Sequence, residues 1–246
     1  MSAIASWKTP GEATPLMTID SVRKSFARGL ARASHRTIAL QDVYVEAFAH
    51  DIVVIVGDEG AGKTTLLQCA AGLIRPDEGW IHGDRRIAYV PAVPVFYPFL
   101  TLRDVLSFRL RKTETGVSNA LIDDVLLITG LAGRGDEIVA RLSGASMKRL
   151  AIAEAIVADP AVVLIDTAPS DAISARVLAE TANRGAAVFV GTRNCSAIAH
   201  VATKIACLVE GRLERIFLVN HPPGLEASVA TLHRPVAPAF VAERIH

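Results

Sequence analysis

The segment Gly57-Asp-Glu-Gly-Ala-Gly62-Lys63-Thr64 constrains this chain more than any other feature. It matches G-x-x-x-x-G-K-[ST] in full, and its context fits the motif. An apolar strand candidate, Asp51–Val56, runs into the loop. A helical pattern, Gly62–Ala71, leaves it, with Leu66, Leu67 and Ala70 on one face and Gly72 as a stop. Glycines let backbone N–H groups curl around a phosphate where a Cβ would clash. The helix N-terminus adds partial positive charge. Lys63 supplies a full charge toward the β- and γ-phosphates, and the Thr64 hydroxyl can ligate Mg²⁺. The nucleotide-binding candidates are therefore Gly57, Asp58, Glu59, Gly60, Ala61, Gly62, Lys63, Thr64 and Thr65.

A chain that places such a loop needs a parallel sheet around it. Ile52–Val56, Ala161–Ile165 and Ala186–Val190 are continuous, Val/Ile-rich and turn-bounded, as buried parallel strands are. Asp166 follows the second of them, at the strand end where ligands sit in open α/β sheets. It is the second Mg²⁺ candidate beside Thr64, acting through water; its bland alternative is a cap on the next helix. The spacing predicts an α/β fold: a mostly parallel sheet of the P-loop NTPase kind, with a helical subdomain inserted at about 101–158. Apolar residues make up 51% of the 246, enough for a sizeable core and too many for a disordered chain. With 26 Lys+Arg against 25 Asp+Glu, the net charge of +1 argues against nucleic acid as a partner.

Other stretches carry weaker signals. Apolar runs fall far short of the ~20 residues that span a bilayer, and Ser2–Thr14 lacks the apolar stretch of a secretory leader. Three scattered cysteines, Cys69, Cys195 and Cys207, suggest a reducing compartment. Arg23, Lys24, Arg28, Arg32 and Arg36 fall within Ser21–Arg36, which contains no acid; a solvated loop and a phosphate or partner contact both fit. Residues 1–15 are expected to be an N-terminal extension, 16–220 the nucleotide-binding domain, and the Pro-rich 221–246 an extended or loosely packed tail.

Beyond the loop, Arg141-Leu-Ser143-Gly144-Ala145-Ser146 opens an Ala-rich helical run that ends before Asp159-Pro160. This resembles the signature motif LSGGQ and following helix of ABC ATPases. The phosphate loop (Walker A), the signature, D-P and the acid-ending strand (Walker B) occur in that family's order over roughly residues 16–215. Leu100-Thr-Leu-Arg-Asp-Val-Leu also looks like the family's entry to its helical subdomain. The resemblance implies N-terminal antiparallel β strands. It also implies ATP with Mg²⁺, sandwiched head to tail between the phosphate loop of one domain and the signature of another. Ser143, Gly144 and Ala145 would then serve the partner's site, Ala145 departing from the family's glycine. Phe26 matches the aromatic that stacks on adenine, although a core phenylalanine fits there too. The implied partners are a second ABC nucleotide-binding subunit and integral membrane permease subunits. The implied location is the cytoplasmic face of the inner (plasma) membrane. Coupling to the permease would run through the loop after Val90 and the helical insertion, where Phe96-Tyr97-Pro98-Phe99 is either a docking patch or a small satellite core.

The departures from the family concentrate on hydrolysis. Thr167 stands where the family places the glutamate that polarises water, and a hydroxyl takes no proton near neutral pH. Arg193 stands in place of the switch histidine; it can pair with phosphate but cannot shuttle a proton. Ala92 stands where a glutamine should follow Ile87–Val90. A shifted register does not rescue these positions. The only glutamines are Gln41 and Gln68, the next glutamate after Asp166 is Glu180, and the next histidine after Arg193 is His200. The nearest acid, Asp171, is better suited to a loop position or a helix cap than to a displaced base. The expectation is a subunit that binds Mg-ATP at a dimer interface with weak or no hydrolysis at its own site, paired with an active ATPase subunit. The alternatives are a slow homodimeric ATPase, or an ATP-gated scaffold not tied to transport.

Overall fold

A computed structural model describes residues 14–28, 35–113, 116–167, 171–219 and 243–245. Two long strands come first, β1 (Met17–Arg28) and β2 (His35–Ala47), paired antiparallel. Register shifts after Ile19, Val22 and Lys24 bend the pair, with Ser21 at φ 52 taking up part of the bend. β3 (Ile52–Val56) feeds the phosphate loop, and α1 (Lys63–Ala70) leaves it. β4 (Glu78–Gly83) adds to the other edge of β1, closing a three-stranded sheet of order β2-β1-β4. β5 (Ile87–Val90) then starts the return to the main sheet.

The inserted region follows, with α2 (Leu102–Leu110), α3 (Asn119–Ile128) and α4 (Gly144–Ile156). Its helices start where their caps dictate. Thr101 and Asp104 form a reciprocal capping box on α2, and the Ser118 and Ser143 hydroxyls accept from the third N–H of α3 and α4. β6 (Val162–Asp166), α5 (Ala172–Asn183), β7 (Ala187–Thr192), β8 (Lys204–Val209), β9 (Arg212–Val219) and β10 (Glu243–Ile245) complete the described chain. Among the described residues the main sheet has seven strands in the order β10-β9-β8-β3-β7-β6-β5. All its pairings are parallel except β8–β9.

The main sheet is buried on both faces, which is why its strands read as unbroken apolar runs. On one face Val53, Ile55, Leu164 and Phe189 pack with α1 and with Ile19, Val43 and Val45 of the small sheet. On the other, Ile52, Val54, Val163 and Val188 pack with Ile152 of α4 and Leu178 of α5. A third cluster fills the insertion, from Leu102 and Leu106 through Ile122 to Leu150. α4 therefore works for two cores: Ala151, Ile152 and Ala155 face the sheet, while Leu150 and Ala153 face α2 and α3.

Several expectations need adjustment. β6 starts and ends one residue later than expected, so Asp166 is its last residue, and β7 runs on through Thr192. His200 sits in a three-residue 3-10 turn, Ala199–Val201. Part of the expected tail is sheet: residues 243–245 pair parallel with β9. Residues 220–242, like 1–13, Arg32 and the side chain of Arg28, lie outside what the structure describes.

Candidate functional site

β3 delivers Gly57 to the C-terminal edge of the main sheet, between β8 and β7. The backbone there has no room for a side chain: a Cβ on Gly57 would sit 2.3 Å from the Leu208 carbonyl oxygen. Gly62 caps α1 at φ 104, and a Cβ on it would sit 2.3 Å from the Ala39 carbonyl oxygen. The two glycines are thus fixed by close approach as well as by curvature. Asp58, Glu59, Gly60 and Thr64 are exposed, so the loop is an open cradle rather than a pocket. N–H groups at the start of a helix, as at α1, are of the kind an anion site uses. A groove between the end of α1 and β4 lies away from the loop.

Lys63 and Thr64 follow directly. The Lys63 ammonium folds back over the loop, donating to the carbonyls of Gly57 at 2.8 Å and Asp58 at 2.6 Å. Partial burial lowers its pKa, opposed chiefly by the Asp166 charge. A phosphate would supply the stronger counter-charge that those carbonyls replace. The Thr64 hydroxyl donates to Asp166 Oδ1 at 2.9 Å, although the two are 102 positions apart in the chain. Asp166 is 6% exposed. An oxygen pair held like this, on the strand end beside the cradle, suits a hard cation with oxygen ligands. Thr64 and Asp166 would hold Mg²⁺, which when bound neutralises phosphate charge.

Sequence reasoning missed one member of this group. The Tyr89 hydroxyl donates to Asp166 Oδ2 at 3.3 Å, and burial pushes the Tyr89 pKa up to about 12, so it remains a donor. Its strand looks apolar and short, and nothing in spacing alone marks a tyrosine there as a site residue.

The three residues at positions of the family's proton chemistry gather on the same edge. Ala92 and Thr167 line one small cleft with Asp171 and Lys148. Thr167 is exposed at φ 145, outside the region that β-branched residues favour. Arg193 follows β7, with a guanidinium nitrogen 3.4 Å from Glu59 of the phosphate loop; both side chains are exposed. Asp171 is the cap of α5: its carboxylate accepts from the Ser174 N–H and hydroxyl, both at 3.0 Å, and lies 3.3 Å from Arg149. It is engaged as a cap, as its sequence setting suggested.

Phe26 lies on β1 opposite Thr37, two residues along β2 from the Ala39 carbonyl that crowds Gly62. It is 40% exposed, with the Lys24 ammonium 5.5 Å from its ring centroid. It is thus a half-open ring beside the loop rather than a core residue. The basic stretch around it is partly neutralised, since Arg23 pairs with Glu78 and Lys24 with Asp77.

Ser143, Gly144 and Ala145 stand apart from this group. They are exposed at the N-terminus of α4, and among the described residues no hydrogen bond or ion pair joins them to the phosphate loop. Ser146, in place of the signature glutamine, is buried. Its hydroxyl receives Arg134 at 2.9 Å, and Arg134 is held in turn by Glu137 at 2.7 Å. In the loop after β5, Phe96 packs into two of the cores while Tyr97 and Phe99 stand about 70% exposed, their rings 5.6 Å apart. The segment is therefore anchored by one ring and presents two.

Comparison with known proteins places these features in context. The family model described as ABC transporter matches residues 40–170. The sulfate/thiosulfate import ATP-binding protein CysA of Gloeobacter violaceus is 34% identical over 172 residues, covering 65% of this chain and 47% of that protein. The chain spans about half the length of such sulfate/thiosulfate relatives. The aliphatic sulfonates import ATP-binding protein SsuB 2 of Paraburkholderia xenovorans is 30% identical over 206 residues, covering 80% of this chain and 81% of that protein. Among solved structures, a dimeric ATP-binding cassette in a post-hydrolysis state with ADP and Pi superposes with a TM-score of 0.72 at 24% identity. That match covers 81% of this chain and 97% of that one, and it shows the shared fold.

Proposed function

The chain belongs to the ABC transporter family, and from that membership we propose that it is an ATP-binding subunit that holds Mg-ATP and turns it over weakly or not at all. One contrast carries this reading. The binding apparatus is intact, from the Gly57 and Gly62 cradle through Lys63 to the Thr64–Asp166 pair. On the same edge, Ala92, Thr167 and Arg193 offer no group that can accept a proton from water near neutral pH.

The open cradle supports a second part of the proposal. A surface this exposed gains a dry, closed site only when another face covers it, and the exposed N-terminus of α4 is a face of the required kind. The subunit would pair head to tail with a second nucleotide-binding subunit, each α4 N-terminus completing the other's site. A catalytically competent, different subunit is the favoured partner, because two copies of this chain would join two sites lacking the same groups. The membrane-facing partner would be a permease that meets Tyr97 and Phe99; Phe108, with Lys112 4.7 Å from its ring centroid, is exposed on the following helix. Among the described residues no helix is long and apolar enough to cross a membrane.

The test is binding and turnover on the same purified chain. Equilibrium binding should detect ATP in the presence of Mg²⁺, with Lys63→Ala weakening it by roughly 10- to 100-fold through loss of a charge-assisted contact. Release of phosphate by the isolated chain should stay near background. Fast hydrolysis that Lys63→Ala abolishes would overturn the weak-turnover part, and absence of Mg-ATP binding would overturn the whole.

A further inference from the structure

We infer that Tyr89 is a positioning residue for the magnesium site, fixing the Asp166 carboxylate from the strand beside it. The inference rests on the Mg-ATP reading above and adds to it a side chain that no motif supplies. Both Asp166 oxygens are engaged: Oδ1 by Thr64 at 2.9 Å and Oδ2 by Tyr89 at 3.3 Å. These two contacts are not equivalent. By its place in the loop Thr64 would itself help hold the cation, and a hydroxyl so used would no longer be free to fix Oδ1. The Tyr89 contact does not have to be given up. It is the one that can hold the carboxylate in the same orientation with and without metal.

The backbone makes that hold rigid. β5 and β6 pair in parallel with Tyr89 opposite Leu164 and Val90 opposite Ile165, so the phenol is carried by the strand next to the acid. The Gln68 side chain is a polar neighbour of the same phenol from α1. Gln68 lies one turn after Thr64 on α1, so the two share a helix face. The side chains Thr64, Asp166, Tyr89 and Gln68 therefore link α1 to β6, β6 to β5, and β5 back to α1. Ligands held by such supporting contacts keep their geometry, and losing the support weakens the metal rather than the rest of the ligand.

The decisive experiment is a Mg²⁺ titration of ATP binding by the full chain. Tyr89→Phe removes the hydroxyl and keeps the ring. It should raise the Mg²⁺ concentration for half-maximal binding by about three- to tenfold, the size of one net hydrogen bond. ATP affinity in EDTA should match wild type, which a general disturbance of the nucleotide site would not allow. Gln68→Leu, which leaves the hydroxyl in place, should shift the midpoint in the same direction by less, and it serves as the second variant should Tyr89→Phe fail to fold. The Mn²⁺ electron paramagnetic resonance spectrum of the ATP complex should also change on Tyr89→Phe. An unchanged Mg²⁺ midpoint in a folded Tyr89→Phe protein, with Asp166→Asn shifting it strongly, overturns the role of Tyr89 and leaves the Mg-ATP reading standing. An equal loss of affinity with and without metal overturns it too. A wild-type chain whose ATP binding ignores Mg²⁺ overturns both.

Discussion

At the scale of single residues, the site separates electrostatic holding from proton handling. Lys63 is poised by carbonyls at 2.6–2.8 Å that a phosphate would displace, whereas Thr167 and Ala92 share a cleft where Asp171, the one carboxylate among the described residues lining it, is committed to capping α5. A missing general base costs ~10²–10⁴ in rate, and groups that act as a unit are not additive. Thr167→Glu alone should therefore raise phosphate release little. The combination Ala92→Gln, Thr167→Glu and Arg193→His should raise it by at least ~10² in an assembly that closes the site. Release no faster for the triple variant than for wild type, with ATP binding intact, would show that the weakness lies elsewhere. The holding residues were legible in the sequence because each follows from local chemistry: a glycine where the turn is tight, an acid at a strand end. Tyr89 was not legible, since its partner is 77 positions away and an aromatic in an apolar strand has the pattern of core.

At the scale of elements, the small sheet is fastened to the turn before β4 by one carboxylate. Asp77 Oδ1 meets the Lys24 ammonium at 2.8 Å, and Oδ2 accepts from the Ser25 N–H at 2.8 Å and its hydroxyl at 2.9 Å. The bond from Lys24, then those from Ser25, hold the Asp77 pKa down to about 2 from 3.8. A folded pKa below the unfolded one means the contribution is complete above pH 3.8 and is lost as pH falls through about 2. Asp77→Asn should be less stable than wild type at neutral pH, by under about 1 kcal/mol because the pair is partly solvated. That gap should close between about pH 4 and pH 2 in denaturant titrations, and a gap independent of pH would refute the linkage. The elements themselves differ in how plainly the sequence announces them. β3, β6 and β7 stand out because burial on both faces makes them continuous apolar runs. β1 and β2 do not, because three register shifts in their pairing, one in β1 and two in β2, scramble the alternation that a one-sided strand would show. β10 is equally obscure, with three described residues in the sheet.

At the scale of the whole molecule, the proposed head-to-tail pairing would draw the two halves of an ATP sandwich from different parts of one chain. The phosphate loop is fed by the central strand β3, while Ser143–Ala145 open α4 in the insertion, and among the described residues no hydrogen bond or ion pair connects them. Under that pairing the chain would serve two different sites, so lesions in its two halves should have separable effects. Gly144→Glu is a clean probe. A Cβ there meets nothing within 4 Å, and an acid in the first turn of a helix agrees with the helix dipole, so the fold is undisturbed. The added carboxylate would oppose any phosphate brought to that N-terminus. In the isolated chain, Gly144→Glu should leave Mg-ATP affinity within about twofold of wild type, because its own loop does not use this helix. Reconstituted with its catalytic partner, the same variant should lower the assembly's turnover by at least about tenfold, since it meets the partner's γ-phosphate. Lys63→Ala should do the reverse, weakening ATP binding by the isolated chain while sparing much of the partner's hydrolysis. If Gly144→Glu instead weakens binding by the isolated chain, α4 acts within its own site, and the division of labour between the two halves is wrong.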